Sequence, residues 1–135
     1  MKCLFCDIIN NEVPVFNVWE DDDFLAFLDI NPINSGHTLL IPKVHTEDVF
    51  NMSDDYFKKL FLTAKKIAPI LQKATRAKRV GMAVEGFGVP HAHLHLVPVN
   101  NGNELNPEKA KTATEAELNN IQKLILKIKK LSDFK

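Results

Sequence analysis

The sequence predicts an α+β fold, in which a five-stranded antiparallel sheet carries a long helix on one face and is followed by a C-terminal helix. Three observations lead to this prediction. Five short runs have strand character, two longer segments repeat apolar residues at helical spacing, and the strands lie in groups with few helices between them. Strands grouped in this way are typical of an antiparallel sheet and therefore of an α+β fold.

The strand-like runs are separated by turn-forming residues. A short helix is expected at about residues 4–11, and the acidic segment 20–23 should join the first two strands as a hairpin. Turn formers at residues 31–36 precede the third strand, which Pro42 is expected to end. The predicted strands are residues 15–20, 24–30, 37–41, 79–85 and 91–99.

Two segments have the apolar periodicity of amphipathic helices. Ser53 is the expected N-cap of the first helix, and Thr114 with Glu117 forms a capping box at the start of the second. The first stripe is wide enough to lie on a sheet. It consists of Phe57, Leu60, Phe61, Ala64, Ile67, Ala68 and Leu71, and the second consists of Leu118, Ile121, Leu124, Ile125, Ile128 and Leu131.

Composition restricts the classes of function. The 135 residues are 45% hydrophobic and 25% charged, which is ordinary for one soluble globular domain. Seventeen basic and seventeen acidic residues give no net charge, so a general affinity for nucleic acid is not expected. No apolar run approaches the roughly 20 residues that cross a bilayer, and residues 1–7 contain no apolar signal segment. We therefore expect a cytoplasmic protein that does not enter the membrane.

Three of the five histidines alternate along one predicted strand, at His91, His93 and His95. Side chains on a strand alternate between faces, so the three imidazoles should share one face, spaced about 7 Å apart. The intervening apolar residues can then enter the core. Two other interpretations remain: a half-buried strand whose polar face is histidine by chance, and a zinc site made by all three rings.

The two cysteines, Cys3 and Cys6, form a Cys-x-x-Cys pair near the N-terminus. In a reducing compartment, such a pair is expected to be a metal or redox element rather than a structural disulfide. A thioredoxin-like motif would follow a strand and open a helix. This pair lies at the very start of the sequence, and a metal site is therefore the leading interpretation.

Three sequence blocks together resemble the histidine triad (HIT) family. Residues 91–97 are similar to its His-x-His-x-His-x-x signature, and residues 27–32 and 36–45 resemble its two other recurring blocks, in the same order. The resemblance spans about Cys3 to Pro98, so residues 1–110 are interpreted as the HIT domain and 111–135 as a helical extension that packs on the domain or on a partner subunit. It implies a homodimer that binds purine nucleotides and cleaves them at the α-phosphorus.

The resemblance also implies roles for individual residues. His93 is the expected nucleophile, and neutral imidazole suits this role near pH 7. His95 and His37 are expected to contact phosphate oxygens or the leaving group, and Asp29 to bind the ribose hydroxyls. Asp29 could instead cap a turn, and His37 could be an ordinary histidine near a turn. The residues expected to sandwich the base, each of which could instead be plain core, are Phe5, Ile8, Val13, Phe27 and Ile30.

The loop before the triad departs from the family pattern. Backbone N–H groups of Gly88 and Val89 are expected near the phosphate. However, residues 85–90 are short and lack the asparagine, glutamine and hydroxyl side chains of many members. Gly88 occupies a position where many members have a serine or threonine. The sequence therefore does not determine the preferred leaving group or the turnover rate.

Zinc is implied by a further resemblance. Some bacterial HIT proteins and the related galactose-1-phosphate uridylyltransferases hold zinc with Cys-x-x-Cys and two histidines, and the matching residues here are Cys3, Cys6, His45 and His91. Two thiolates and two imidazoles make a closed tetrahedral site, so this zinc would be structural.

Taken together, these features predict a nucleotide-binding hydrolase that acts on phosphoramidates, adenylylated amines or dinucleotide polyphosphates through a nucleotidyl-histidine. A non-catalytic or weakly catalytic purine-nucleotide-binding regulatory protein is the alternative, favoured by the short loop. A nucleotidyltransferase is a third possibility, although so short a chain offers little room for a dedicated second-substrate site.

Overall fold

The computed structural model describes residues 2–133 and contains one five-stranded sheet, three α-helices and two short 3-10 turns within that range. The helices and strands are α1 (Leu4–Ile9), β1 (Asn17–Glu20), β2 (Phe24–Leu28), β3 (Thr38–Pro42), α2 (Asp54–Thr75), β4 (Arg79–Ala83), β5 (Leu94–Val99) and α3 (Glu115–Ser132). The strands lie in the order β1-β2-β3-β5-β4, and all neighbours are antiparallel. The predicted α+β fold is confirmed.

Helix α2 covers one face of the sheet. The Ser53 hydroxyl accepts a hydrogen bond from the Tyr56 N–H and caps its start, as the sequence predicts. Arg76 ends the helix in the left-handed conformation, at φ +60°. The helix continues through Pro69, and it buries the predicted apolar residues Leu60, Ala64, Ile67 and Leu71 against the strands.

Helix α3 adds to the same core. Thr114 and Glu117 form the expected capping box, in which each side chain accepts a hydrogen bond from the other residue's backbone N–H. Leu118, Ile121 and Ile125 are buried in the cluster that also contains the α2 residues. The C-terminal helix is thus packed on α2 and the sheet. No helix in residues 2–133 has the length and apolar character needed to cross a membrane.

Helix α1 lies on the opposite face of the sheet. Phe5 and Ile8 pack there with Leu25, Phe27 and Leu39, forming a second and smaller apolar cluster. The histidines that the sequence singles out project on this face, because His95 is paired with Leu39 of β3 and with Ala83 of β4. The large core therefore supports the sheet from behind, while α1 and the histidines occupy the front.

Every strand differs from its predicted bounds by one to three residues at one end or both, and two of these differences have identifiable reasons. Pro42 is the last residue of β3 and pairs with Phe24, since the end of a strand tolerates a missing N–H. Strand β5 begins at Leu94 rather than at His91, because the preceding amides bond elsewhere. The His91 N–H donates to the Val89 carbonyl oxygen at 2.8 Å, and the Ala92 N–H to that of Thr46 at 2.6 Å.

Candidate functional site: histidine cluster and metal centre

The alternation of His91, His93 and His95 is retained although only His95 lies in the paired strand. Ala92 and Leu94 are buried in the α2 core, whereas His91 and His93 contact Phe5 on the α1 face. The ring centroids of His93 and His95 are 5.0 Å apart, closer than the regular strand spacing predicts. The difference arises because the chain is irregular before Leu94.

His93 is held in one tautomer by the main chain. Its Nδ1 lies 2.7 Å from the carbonyl oxygen of His91, and because a carbonyl only accepts, Nδ1 must carry the proton. The neutral ring therefore has its lone pair on Nε2. The residue is only 4% exposed and lines a cavity of about 530 Å³. The structure thus presents a buried imidazole with an unprotonated nitrogen available for chemistry.

His37 and His95 form a directed hydrogen-bond chain. The Ile33 N–H donates to His37 Nδ1 at 3.0 Å, so the proton of the neutral ring is on Nε2. That Nε2–H in turn donates to His95 Nδ1 at 3.0 Å. The proton of His95 is therefore on its own Nε2, and His95 offers a donor beside the lone pair of His93.

Burial keeps the hydrogen-bonded rings of His37 and His95 uncharged. Desolvation lowers the pKa of His37 to about 4, although the Asp29 carboxylate opposes the change. Desolvation, with the proximity of His93, also lowers the pKa of His95. Both rings are consequently uncharged near pH 7, and the direction of the chain follows from the Ile33 amide alone.

One carboxylate oxygen of Asp29 caps a turn, and the other lies near His37. Its Oδ1 accepts from the Asn31 N–H at 2.8 Å, the turn-capping contact considered from the sequence. Its Oδ2 lies 3.6 Å from His37 Nε2. Asp29, His37 and His95 line a second cavity of about 310 Å³. The structure thus brings Asp29 to the histidines, at the end of β2.

The apolar residues expected around a base are only partly brought together. Phe5 contacts Phe27 and His93, with ring centroids at 5.6 and 5.1 Å, and forms a wall behind the nucleophile candidate. Ile8 and Val13 belong to the same apolar cluster as Phe5 and Phe27, and they also line a cavity of about 290 Å³ beside β1 and β2. Ile30 is 56% exposed and lies outside both apolar clusters.

The loop before the triad reaches the His93 cavity through residues other than those expected. Glu85, Gly86 and Phe87 line that cavity, whereas Gly88 and Val89 are absent from its lining. Gly88 has φ +92°, a conformation that favours glycine. The Val89 carbonyl oxygen accepts the His91 N–H, so this residue sets the course of the chain into the triad.

The four residues expected to hold zinc converge. Cys3 Sγ lies 3.4 Å from His91 Nδ1, and Cys6 Sγ lies 3.2 Å from His45 Nδ1 and 3.6 Å from His91 Nδ1. All four ligand atoms lie within 4.8 Å of one another. In a tetrahedral zinc site, sulfur and nitrogen ligands are about 3.6 Å apart, given the usual bond lengths.

The chemistry of this donor set also fits a metal. His91 Nε2 lies 2.7 Å from the Pro42 carbonyl oxygen and must donate to it, which leaves Nδ1 unprotonated and facing the sulfurs. Burial, followed by the neighbouring Cys3, raises the pKa of the Cys6 thiol to about 11. A divalent cation supplies the positive charge that would hold these thiols as thiolates.

Asp29, His37 and His95 also converge within 4.8 Å, but their protonation favours a different interpretation. The His37 Nε2 proton lies between the other two groups, and the Ile33 N–H bond prevents its transfer to Nδ1. A metal on Nε2 would have to displace that proton. This cluster is therefore a hydrogen-bonded chain, whereas the Cys/His cluster is the candidate metal centre.

Sequence reasoning missed the carboxylates and one aromatic residue around the His93 cavity. Glu47, Asp48 and Phe50 line it together with Glu85. The signal available was the pair of adjacent acids just after His45, but the sequence alone does not show that this segment and the loop 85–90 face each other.

Comparison with known proteins identifies the family. A family model described as the HIT domain matches residues 10–102. An uncharacterized HIT-like protein of Borreliella burgdorferi is 40% identical over an alignment of 124 residues, and the match covers 81% of this chain and 89% of that protein. An adenosine 5′-monophosphoramidase of Candida albicans is 34% identical over 109 residues, 72% of this chain and 70% of that protein.

A solved structure shows the same fold. The crystal structure of a zinc-bound histidine triad family protein from Mycobacterium smegmatis is 29% identical, with a TM-score of 0.85, and the match covers 100% of this chain and 99% of that one. The family model spans more than half of the chain, and all three sequence blocks lie within the matched residues. The chain belongs to the histidine triad (HIT) family.

Proposed function

We propose that this chain is a nucleotide-binding hydrolase that cleaves at the α-phosphorus of purine nucleoside phosphoramidates, adenylylated amines or related anhydrides. The observation that carries the proposal is the pair of fixed tautomers. His93 offers a lone pair on Nε2 and His95 offers a proton on Nε2, with the two rings 5.0 Å apart. One nucleophile and one donor side by side suit attack on a phosphoryl group.

The proposed reaction has two steps. His93 Nε2 attacks phosphorus, and the bond from phosphorus to the leaving nitrogen breaks, the nitrogen having taken a proton from solvent so that it departs as a neutral amine. Water then attacks the nucleotidyl-imidazolium, which releases the nucleoside monophosphate, one proton and neutral His93. Throughout, the His95 Nε2–H donates to the phosphoryl oxygens on which charge develops.

The other groups position the substrate and the rings. Asp29 Oδ2 is proposed to accept hydrogen bonds from the ribose, next to the chain that begins at Ile33. The Phe5 ring packs against the His93 ring and limits its movement away from the substrate. His37 acts through His95, because its Nε2–H fixes the His95 tautomer.

Trapping the intermediate tests this proposal. The parent, mixed with adenosine 5′-phosphoramidate and quenched with alkaline denaturant within one turnover, should carry one AMP on His93 by peptide mass spectrometry at a pH that preserves the acid-labile phosphorus–nitrogen bond. His93→Asn should carry none and should lose at least about 10³-fold in kcat/KM, as expected for a lost nucleophile. An equal rate for His93→Asn and the parent would show that the nucleophile is assigned wrongly.

The loop 85–90 favours a second candidate function, nucleotide binding without useful turnover. Gly88 carries no side chain, and a Cβ there would meet no atom within 4 Å, so the phosphate lacks side-chain donors from this point. A regulatory nucleotide-binding protein would bind AMP yet give no covalent adduct and no turnover above the buffer rate in the same quench experiment.

Structural zinc at Cys3, Cys6, His45 and His91 is part of the proposal. When bound, it would hold both thiols as thiolates and tie α1 to the segment before β5. His91 would then be fixed two residues from His93, with its Nε2–H on Pro42. Elemental analysis of purified protein should give one zinc per chain, and Cys6→Ser should give less.

We also propose that the protein works in the cytoplasm as a homodimer. Strand β4 is the outer strand of the sheet beside β5, and its Met82 is 44% exposed. An unpaired strand edge with an exposed apolar residue is a natural surface for a second copy. Sedimentation equilibrium should give twice the chain mass, and Met82→Lys should lower the association constant.

A further inference from the structure

The cavity beside His93 has a chemical character that the reaction proposed above does not require. Three carboxylates line it, from Glu47, Asp48 and Glu85, and its lining contains no lysine or arginine. We infer that this cavity receives the leaving group of the substrate and selects an amine that carries a second, positively charged ammonium group. The inference rests on the proposed hydrolysis and specifies its leaving group.

The location of the cavity ties it to the reacting atoms. His93 is 4% exposed, its Nδ1 lies against the His91 carbonyl oxygen, and the residue is part of the cavity lining. Whatever occupies the cavity lies against the nucleophile. Asp29, the proposed ribose ligand, lines the other cavity, and Glu85 lines both. The nucleoside and the leaving group therefore have separate places that meet at the histidines.

The charges discriminate between leaving groups. A polyphosphate chain is normally bound by arginine, lysine or a metal ion, which offset its charge. Here it would meet Glu47, Asp48 and Glu85 instead. An ammonium on the leaving amine would be attracted by the same groups. Each carboxylate is exposed, so its individual effect is about threefold in kcat/KM, typical of solvent-screened pairs.

Two aromatic rings strengthen the preference for a cation. Phe50 is 76% exposed and Phe87 is 82% exposed, and both line the cavity with the carboxylates. The backbone N–H of Phe50 donates to Asp48 Oδ1 at 2.9 Å, which ties the backbone of this residue to a carboxylate of the same cavity. Carboxylates with aromatic faces are the combination that binds alkylammonium groups. The second nucleobase of a dinucleotide polyphosphate could stack on the same rings, but its phosphate groups would then lie close to the carboxylates and be repelled by them.

A matched substrate series tests the inference. Four adenosine compounds are compared: three 5′-phosphoramidates of five-carbon amines that end in ammonium, hydroxyl or carboxylate, and one diadenosine polyphosphate. For the parent, kcat/KM should follow the order ammonium, hydroxyl, carboxylate, with at least about tenfold between the ends of the phosphoramidate series. The diadenosine compound should be slower than the ammonium compound.

Charge-neutral variants identify the residues responsible. Glu47→Gln and Glu85→Gln should each reduce the ammonium-to-carboxylate ratio by about threefold. Glu115→Gln is the matched control, since it removes one exposed carboxylate at the start of α3, on the far face of the sheet, and should leave the ratio unchanged. For the parent, the ratio should also fall as salt is raised, because exposed charges are screened.

The outcomes separate the inference from the function on which it rests. If the hydroxyl compound forms the His93 adduct but the ratio is near one, or is the same in both glutamine variants as in the parent, the leaving-group inference is wrong and the hydrolase stands. A diadenosine polyphosphate that outpaces the ammonium compound refutes it equally. If no compound gives an adduct on His93, the hydrolase and the inference both fall.

Discussion

Acidification should destabilise the protein selectively through His37. The ring is 3% exposed, and burial lowers its pKa from 6.5 to about 4, with only partial opposition from Asp29. The unfolded chain therefore takes up a proton on this ring below about pH 6.5, whereas the folded chain stays neutral until about pH 4. The neutral ring makes its full contribution to the free energy of unfolding above about pH 6.5. This contribution is lost as the pH falls from 6.5 to about 4.

The separation between 6.5 and about 4 corresponds to about 3 kcal/mol in total, of which about 2 kcal/mol is lost between pH 7 and pH 4.5. His37→Asn is the reference variant, because its side-chain oxygen can still accept from the Ile33 N–H but does not titrate. Urea unfolding of parent and variant at pH 7, 6, 5 and 4.5 measures the difference in the free energy of unfolding.

The parent's advantage over His37→Asn should shrink by about 2 kcal/mol across this range. Other carboxyl and histidine groups titrate in both proteins, so their contributions largely cancel in the difference. A difference that stays constant from pH 7 to pH 4.5, or that grows on acidification, would show that His37 is not held neutral by burial.

Three further predictions concern the metal centre and the two helices on the large core. Cys6→Ser should lower both the zinc content and the midpoint of thermal unfolding, since metal binding contributes to folding; an unchanged midpoint in zinc-loaded samples would contradict a structural metal. Leu60→Ala should reduce the free energy of unfolding by about 2–5 kcal/mol, because the side chain is 0% exposed; a loss below about 1 kcal/mol would mean that α2 is packed less tightly than described. Thr114→Ala should reduce the free energy of unfolding by about 1 kcal/mol, because it removes one half of the capping box. Circular dichroism at low urea should show fraying of α3 in this variant, whereas the control Ser132→Ala should show none.

Periodicity and turn chemistry were sufficient to predict the layers of the fold. The stripes of α2 and α3, the hairpin and the grouped strands each follow from local spacing, and each was found in the structure. Strand ends were less predictable because they depend on which distant carbonyl an amide meets. The segment 91–93 has a strand pattern, yet the Ala92 N–H bonds to Thr46 rather than to a neighbouring strand.

Residue types and spacing also located the histidines and the Cys/His cluster, but not the protonation of the rings. The tautomers of His91, His93 and His37 depend on two carbonyls and one amide of the backbone, and the identities of the neighbouring residues do not reveal such contacts. The acidic cavity escaped prediction for a similar reason. Glu47 and Glu85 come from segments 38 positions apart in the chain, and only folding brings them to one cavity.

The Ile33 amide has a consequence for how the hydrogen-bonded pair of His37 and His95 tolerates sequence change. Its N–H orients a whole line of protons, yet nearly every amino acid possesses the same group, so substitutions at this position leave the orientation intact. Proline alone lacks it. Among all substitutions of residue 33, proline is therefore the one that removes the donor, whatever effect the other side chains have on the cavity that this residue lines.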